Sequence, residues 1–170
     1  MEGSLHPHAL AALACGFGWL LWSLLLGYLA LRLPPALLER DNWFTRPRPW
    51  GETLAHYEQR LRIRRWKGYL PDAGNAFAGG LRKDSLVGRD PARLRRLIAE
   101  TRRAELVHLA IWLFWPLTAL WLPAWAVLIN LAFATAFNLP CLWLQRFNRL
   151  RLLQTINKIR RESAVPGRST

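Results

Sequence analysis

Acidic residues are scarce in this chain: 11 Asp and Glu stand against 24 Lys and Arg over 170 residues, a formal charge of +13. Cysteine is scarcer still. The two present, Cys15 and Cys141, each lie inside an apolar run, so neither a disulfide framework nor a zinc spacing exists. Each reads as a small buried hydrophobe. No P-loop spacing occurs; the glycine-rich PDAGNAFAGG (Pro71–Gly80) reads as a turn. No internal repeat or low-complexity segment is present. Lys and Arg are missing before Ala9, which argues against a cleaved signal peptide, whose first region carries positive charge. Ala12-Leu-Ala-Cys15 has the outline of a lipoprotein cleavage site, but too little apolar sequence precedes it.

What is abundant is uninterrupted hydrophobicity. Ala9–Leu31, Leu106–Leu122 and Ala124–Leu144 span 23, 17 and 21 residues, and none holds a Lys, Arg, Asp or Glu. A membrane-crossing helix needs about 20 such residues. The expected architecture is therefore an all-α integral membrane protein with three transmembrane helices, at about 9–31, 106–122 and 124–144. Cations set its orientation. Residues 32–105 hold 17 Lys and Arg against 9 acids, and residues 145–170 hold 7 against 1. The link around Trp121–Trp125 holds none. The central segment and the C-terminus are expected in the cytoplasm, with the N-terminus and the hairpin tip outside. Residues 1–170 are read as one membrane domain, with a cytoplasmic segment at about 32–105 and a basic tail at about 145–170. The charge would also suit nucleic acid, but cytoplasmic positive bias already explains it, so no nucleic-acid partner is expected.

The connecting segments carry their own signals. Leu33-Pro-Pro35 stops the first helix. DNWFTRPRPWGE (Asp41–Glu52) has two prolines, Pro47 and Pro49, which exclude a long helix. Its Trp and Arg residues suit either the lipid headgroup level or packing on neighbouring helices. Leu54–Leu70 mixes helical and strand-like spacing, and periodicity does not decide between them. Asp90-Pro91 makes a helix start, with a carboxylate N-cap and proline at the first helical position. From there Leu94, Leu97, Ile98, Thr101, Glu105 and His108 form one stripe, predicting a helix that runs from Asp90 into the bilayer. Pro116 is expected to kink it, and Pro140 to kink the last helix. Beyond that, Leu152, Leu153, Ile156 and Ile159 stripe a basic tail suited to anionic lipid.

Ionisable groups in membrane helices are costly, about 2.5–3.5 kcal/mol at the bilayer centre on insertion scales, and mark function by default. Glu105, His108, Asn138, Gln145, Arg146 and Arg149 lie on two helices joined by a tight hairpin, and antiparallel packing brings them to one cytoplasmic mouth. His is suited to proton exchange near neutral pH, a carboxylate one turn earlier can orient it, and Arg and Asn donors can hold phosphate or an oxyanion. The combination describes acyl transfer to an alcohol. A structural reading, in which Glu105 and His108 only fix helix register, stays open. Metal is not expected, because Glu-x-x-His occurs once and di-iron bundles need two such motifs with further carboxylates.

ETRRAELVH (Glu100–His108) and NLPCLWLQRFNRLRL (Asn138–Leu152) together resemble the carotenoid-glycoside acyltransferases of the staphyloxanthin pathway, the glycosyl-4,4'-diaponeurosporenoate acyltransferases. The family pattern falls on Glu100, Thr101, Arg103, Ala104, Glu105, Leu106 and His108, then on Asn138, Pro140, Gln145, Arg146, Asn148, Arg149 and Arg151. A weaker match through WFTRPRPW and RRWKGYLPDAG extends it to roughly residues 43–152. Phe147 replaces the usual Tyr, so no phenol is essential there, and Leu150 replaces a Pro. The resemblance implies a membrane O-acyltransferase that esterifies the sugar of a glycosylated carotenoid or similar glycolipid. His108 would be the base and Glu105 its orienting partner. Glu100, Arg103, Asn138, Gln145, Arg146, Asn148 and Arg149 would bind substrate. No cofactor is expected beyond an acyl donor as co-substrate, acyl-CoA or acyl carrier protein. Membrane lipid and the lipid-soluble acceptor are the implied partners, and a homo-oligomer is compatible. The alternative is a non-catalytic scaffold or lipid-binding partner of pigment or lipid enzymes.

Overall fold

In a computed structural model, residues 7–48, 51–70 and 90–164 are described, and every regular element among them is helical. The Pro71–Gly80 turn and Pro49-Trp50 lie outside the described residues. Helix α1 covers Pro7–Leu31, α2 Pro35–Glu39, α3 Ile63–Trp66, α4 Pro91–Trp112 and α5 Ala124–Ser163. A π-helical turn at His56–Arg60 and short 3-10 helices at Lys67–Tyr69 and Trp115–Leu120 complete the set. The chain forms two compact units: one from the segment ending at Leu33 with Leu106–Leu142, the other from Pro34–Glu105 with the segment from Trp143 onward.

In the first unit, α1 and α5 are long and apolar enough to cross a membrane. Helix α1 is apolar all round, and Leu13 and Phe17 are more than 60% exposed. A helix greasy on every face belongs in a core or in lipid. The middle apolar stretch is not one helix. Helix α4 stops at Trp112, and Pro116 sits in the first turn of the 3-10 helix Trp115–Leu120. Proline has no N–H to give the Trp112 carbonyl, and its ring crowds that carbonyl. The expected kink is therefore a break. Helix α5, by contrast, continues through Pro140.

Several polar groups inside this unit bond to one another. Asn130 Oδ1 accepts from Cys15 Sγ at 3.0 Å and from Trp19 Nε1 at 2.9 Å, joining α1 to α5. Trp22 Nε1 donates to the Ala110 carbonyl at 3.1 Å, and Trp112 Nε1 to Thr135 Oγ1 at 3.1 Å. Trp19 and Phe114 pack edge to face with centroids 4.8 Å apart. A Cβ on Gly18 would stand 2.9 Å from Phe114 Cζ, so a methyl there would have to displace the ring.

In the second unit, the Asp90 carboxylate caps α4 by accepting from the Ala92 N–H at 3.0 Å. Leu94, Leu97, Ile98, Thr101 and Glu105 are buried at the three- and four-residue steps read from the sequence. The ambiguous Leu54–Leu70 stretch is helical in short pieces, reversed at Arg62, whose φ of 49° is left-handed. Its Tyr57 and Ile63 pack with Phe147 of α5 as the core, flanked by Leu54, Leu61, Trp66 and Trp143. Phe147 is fully buried there, where a hydroxyl would need a partner.

Candidate functional site

The second unit holds a buried ionic cluster built around Glu105, which is 0% exposed. One carboxylate oxygen accepts from Arg146 Nε at 2.5 Å, and the other accepts from Arg149 Nη1. Arg146 also donates to Glu52 at 2.9 Å and to the Phe44 carbonyl at 2.8 Å. Arg149 donates to the carbonyl of buried Thr45. These carbonyls are presented by a local turn. Asn42 Oδ1 accepts from the N–H groups of Phe44 and Thr45, both at 2.9 Å, which is the Asx-turn habit of Asn. Arg102 donates to Asp41 at 2.8 Å and to the Leu38 and Glu39 carbonyls, tying α4 to the same segment.

Glu52 is the second carboxylate of this cluster. Burial pushes its pKa up, but hydrogen bonds from the Tyr57 hydroxyl and the Arg48 N–H, with the Arg146 charge, carry it below the ordinary value. Tyr57 moves the other way: burial and the neighbouring Glu52 carboxylate raise its phenol well above the usual range. Arg146 is raised, since the Glu105 and Glu52 charges outweigh the burial that opposes them.

The first unit holds His108 and Asn138. His108 Nδ1 lies 3.1 Å from Asn138 Oδ1, and Asn138 Nδ2 donates to the Ala134 carbonyl at 2.9 Å. A carbonyl can only accept, so the amide nitrogen must face Ala134 and the amide oxygen must face the imidazole. Nδ1 therefore carries a proton, and in the neutral ring Nε2 is the basic nitrogen.

Measured against the sequence reading, the antiparallel hairpin does bring Glu105 to Arg146 and Arg149. His108 Nδ1 meets Asn138 Oδ1, and both Glu105 oxygens accept from guanidinium groups. Arg149 is 1% exposed with both terminal nitrogens engaged, which suits holding Glu105 better than gripping a ligand. Arg103 pairs with Glu100 on its own helix at 2.6 Å. Gln145 and Asn148 are half-buried on α5. Among the described residues, no group of three or more His, Cys, Asp or Glu could hold a metal. Sequence reasoning missed Glu52, Tyr57, Asp41 and Thr45. The available signal was the shortage of acids: Asp41 and Glu52 bracket the Pro-rich block, in a chain where two cations of α5 must find anions.

Comparison with known proteins gives this constellation a context. The family model for glycosyl-4,4'-diaponeurosporenoate acyltransferase matches residues 40–158, which include both clusters. The protein of that name from Staphylococcus haemolyticus (strain JCSC1435) is 29% identical over 136 residues, 79% of this chain and 78% of its own length. Its namesake from Staphylococcus aureus (strain Newman) is 24% identical over 153 residues, covering 89% of this chain and 91% of that protein. No solved structure matches. With more than half of its length matched, this chain belongs to the glycosyl-4,4'-diaponeurosporenoate acyltransferase family.

Proposed function

We propose that this protein is a membrane O-acyltransferase that moves a fatty acyl group from a carrier thioester to a sugar hydroxyl of a glycosylated carotenoid or similar glycolipid. His108 Nε2 accepts the hydroxyl proton as the oxygen attacks the thioester carbonyl. The new C–O ester bond forms, the C–S bond breaks, and the thiolate leaves with the proton His108 took. Asn138 holds the ring in the tautomer this requires. By the resemblance, Glu100, Arg103, Gln145, Arg146 and Asn148, all in the second unit, bind substrate. Glu105 and Arg149 fix Arg146.

The observation that carries this reading is the relay from the Ala134 carbonyl through Asn138 to His108 Nδ1. The engaged state of Arg149 favours the second reading, a scaffold in which this polar set only fixes the fold. Membrane insertion is supported by the apolar length of α1 and α5 and by the outward-facing side chains of α1. On this reading the 106–122 stretch makes the third crossing as a helix end followed by a 3-10 turn, with the basic segments in the cytoplasm.

His108→Gln tests it. In protein that still inserts, transfer is expected to fall by about 10²–10⁴-fold, the usual share of a general base. Unchanged transfer removes His108 from that role.

A further inference from the structure

Arg146 and Arg149 are committed to carboxylates, so a strongly anionic co-substrate needs other cations. The second unit has them. A cleft of about 850 Å³ lies between the C-terminal part of α5 and the Leu54–Arg64 segment. Arg151, Lys158 and Arg161 line it from α5, at helical steps of seven and three, Arg64 lines it from the other segment, and the carboxylates of Glu58 and Glu162 line it too. The three α5 cations spread over about 15 Å of helix at 1.5 Å per residue.

Their commitments differ. Arg64 pairs with Glu58 at 2.6 Å, and Lys158 reaches Glu162 only at 3.9 Å. Arg151 lies over the Phe147 ring, 5.6 Å from its centroid, and neither it nor Arg161 forms an ion pair among the described residues. Gln154 and Asn157 add amide donors to the same wall, and half-buried Leu54 gives it an apolar patch. The volume falls in the range of about 300–1,000 Å³ typical of small-molecule and cofactor sites.

We infer that this cleft is the docking site for the polyphosphate end of a coenzyme A-type acyl donor, with Arg151 and Arg161 as its principal phosphate contacts. The inference rests on the acyltransfer reading and names its co-substrate. The spread of the cations carries the choice. A carrier arm with one phosphate, or a single lipid headgroup, is answered by one or two adjacent cations. A donor with a diphosphate and a separate phosphate on its ribose needs them distributed along a wall, and guanidinium groups suit phosphate oxygens geometrically.

The test uses full-length protein in neutral detergent, with coenzyme A, its 3'-dephospho form and pantetheine as calorimetric probes. Coenzyme A is expected to bind more tightly than the dephospho form, with pantetheine weakest. Arg151→Gln/Arg161→Gln should weaken coenzyme A about tenfold or more, at roughly 1.4 kcal/mol per tenfold. The Lys pair at the same positions should recover part of this, showing that charge and not folding was lost. Equal affinity in the Gln pair, equal binding of pantetheine, or transfer from acyl carrier protein by a protein that binds no coenzyme A each overturns the inference. The two readings fail separately. Transfer from acyl-CoA with an unchanged KM in the Gln pair removes the cleft and leaves the acyltransferase. Coenzyme A bound through these arginines, with no transfer to any acceptor, does the reverse.

Discussion

The Nδ1 atom of His108 and the Oδ1 atom of Asn138 stand 3.1 Å apart, and the other end of the amide is fixed on the Ala134 carbonyl. Two hydrogen bonds thus decide which imidazole nitrogen is basic. Asn138→Leu keeps the side-chain volume and removes this control. If the tautomer matters to the chemistry, kcat should fall by about 10–10²-fold, part of what a positioned base contributes, with KM nearly unchanged. Steady-state kinetics on inserted protein checks it, and an effect on KM alone would move Asn138 to substrate contact.

Glu105 is expected to govern stability. Removing one member of a buried ion pair leaves the other charge stranded, at about 3–5 kcal/mol. Glu105→Ala strands Arg149 and weakens the hold on Arg146, so a large fall in the thermal midpoint in detergent is expected. Glu105→Ala with Arg149→Met should recover part of that loss, because the second change removes the stranded charge. A midpoint that stays put in the single variant would contradict the burial of this cluster.

The acid side of the stability profile should belong in part to Glu52. Its folded pKa lies below its ordinary value of 4.5, so its contribution is complete above that value. It is lost as pH falls through the lowered one. Glu52→Gln is expected to lower stability at neutral pH and to flatten the decline below about pH 5. Thermal midpoints of both proteins across pH 3–7, as an approximate window around the carboxylate range, give the comparison.

A side chain at Gly18 should press on the Phe114 ring. An added Cβ would sit 2.9 Å from Phe114 Cζ, and the ring is also packed by Trp19. Overpacking of this kind costs about 1–3 kcal/mol. Gly18→Ala is expected to destabilise the folded protein, and Phe114→Leu in the same chain to relieve it. Unfolding measurements on the single and double variants decide the matter.

The long elements were legible because local chemistry writes them plainly. Asp90-Pro91 caps α4, the Leu94–Glu105 stripe repeats at helical steps, and unbroken apolar runs mark α1 and α5. The pairing of Glu105 with Arg146 and Arg149 followed from a tight hairpin, which aligns the start of one helix with the end of the next. Glu52 was beyond such reasoning. It lies 94 residues from Arg146 in a Pro-rich segment without periodicity, so only the folded chain brings the two together. The break after Trp112 was half legible: Pro116 announced a disturbance, but kink and termination share one sequence signal. The contact of Asn138 with His108 was not legible. It depends on which way an amide points, and sequence does not encode that.

The anions and cations of the Glu105 cluster are also separated in time. Arg146 and Arg149 leave the ribosome 41 and 44 residues after Glu105. Until then the nascent chain carries that carboxylate without either guanidinium, and water or a bound proton must satisfy it. Closure of the cluster is thus a late event of biogenesis, and chains halted before Arg146 should be preferred targets for quality-control proteases.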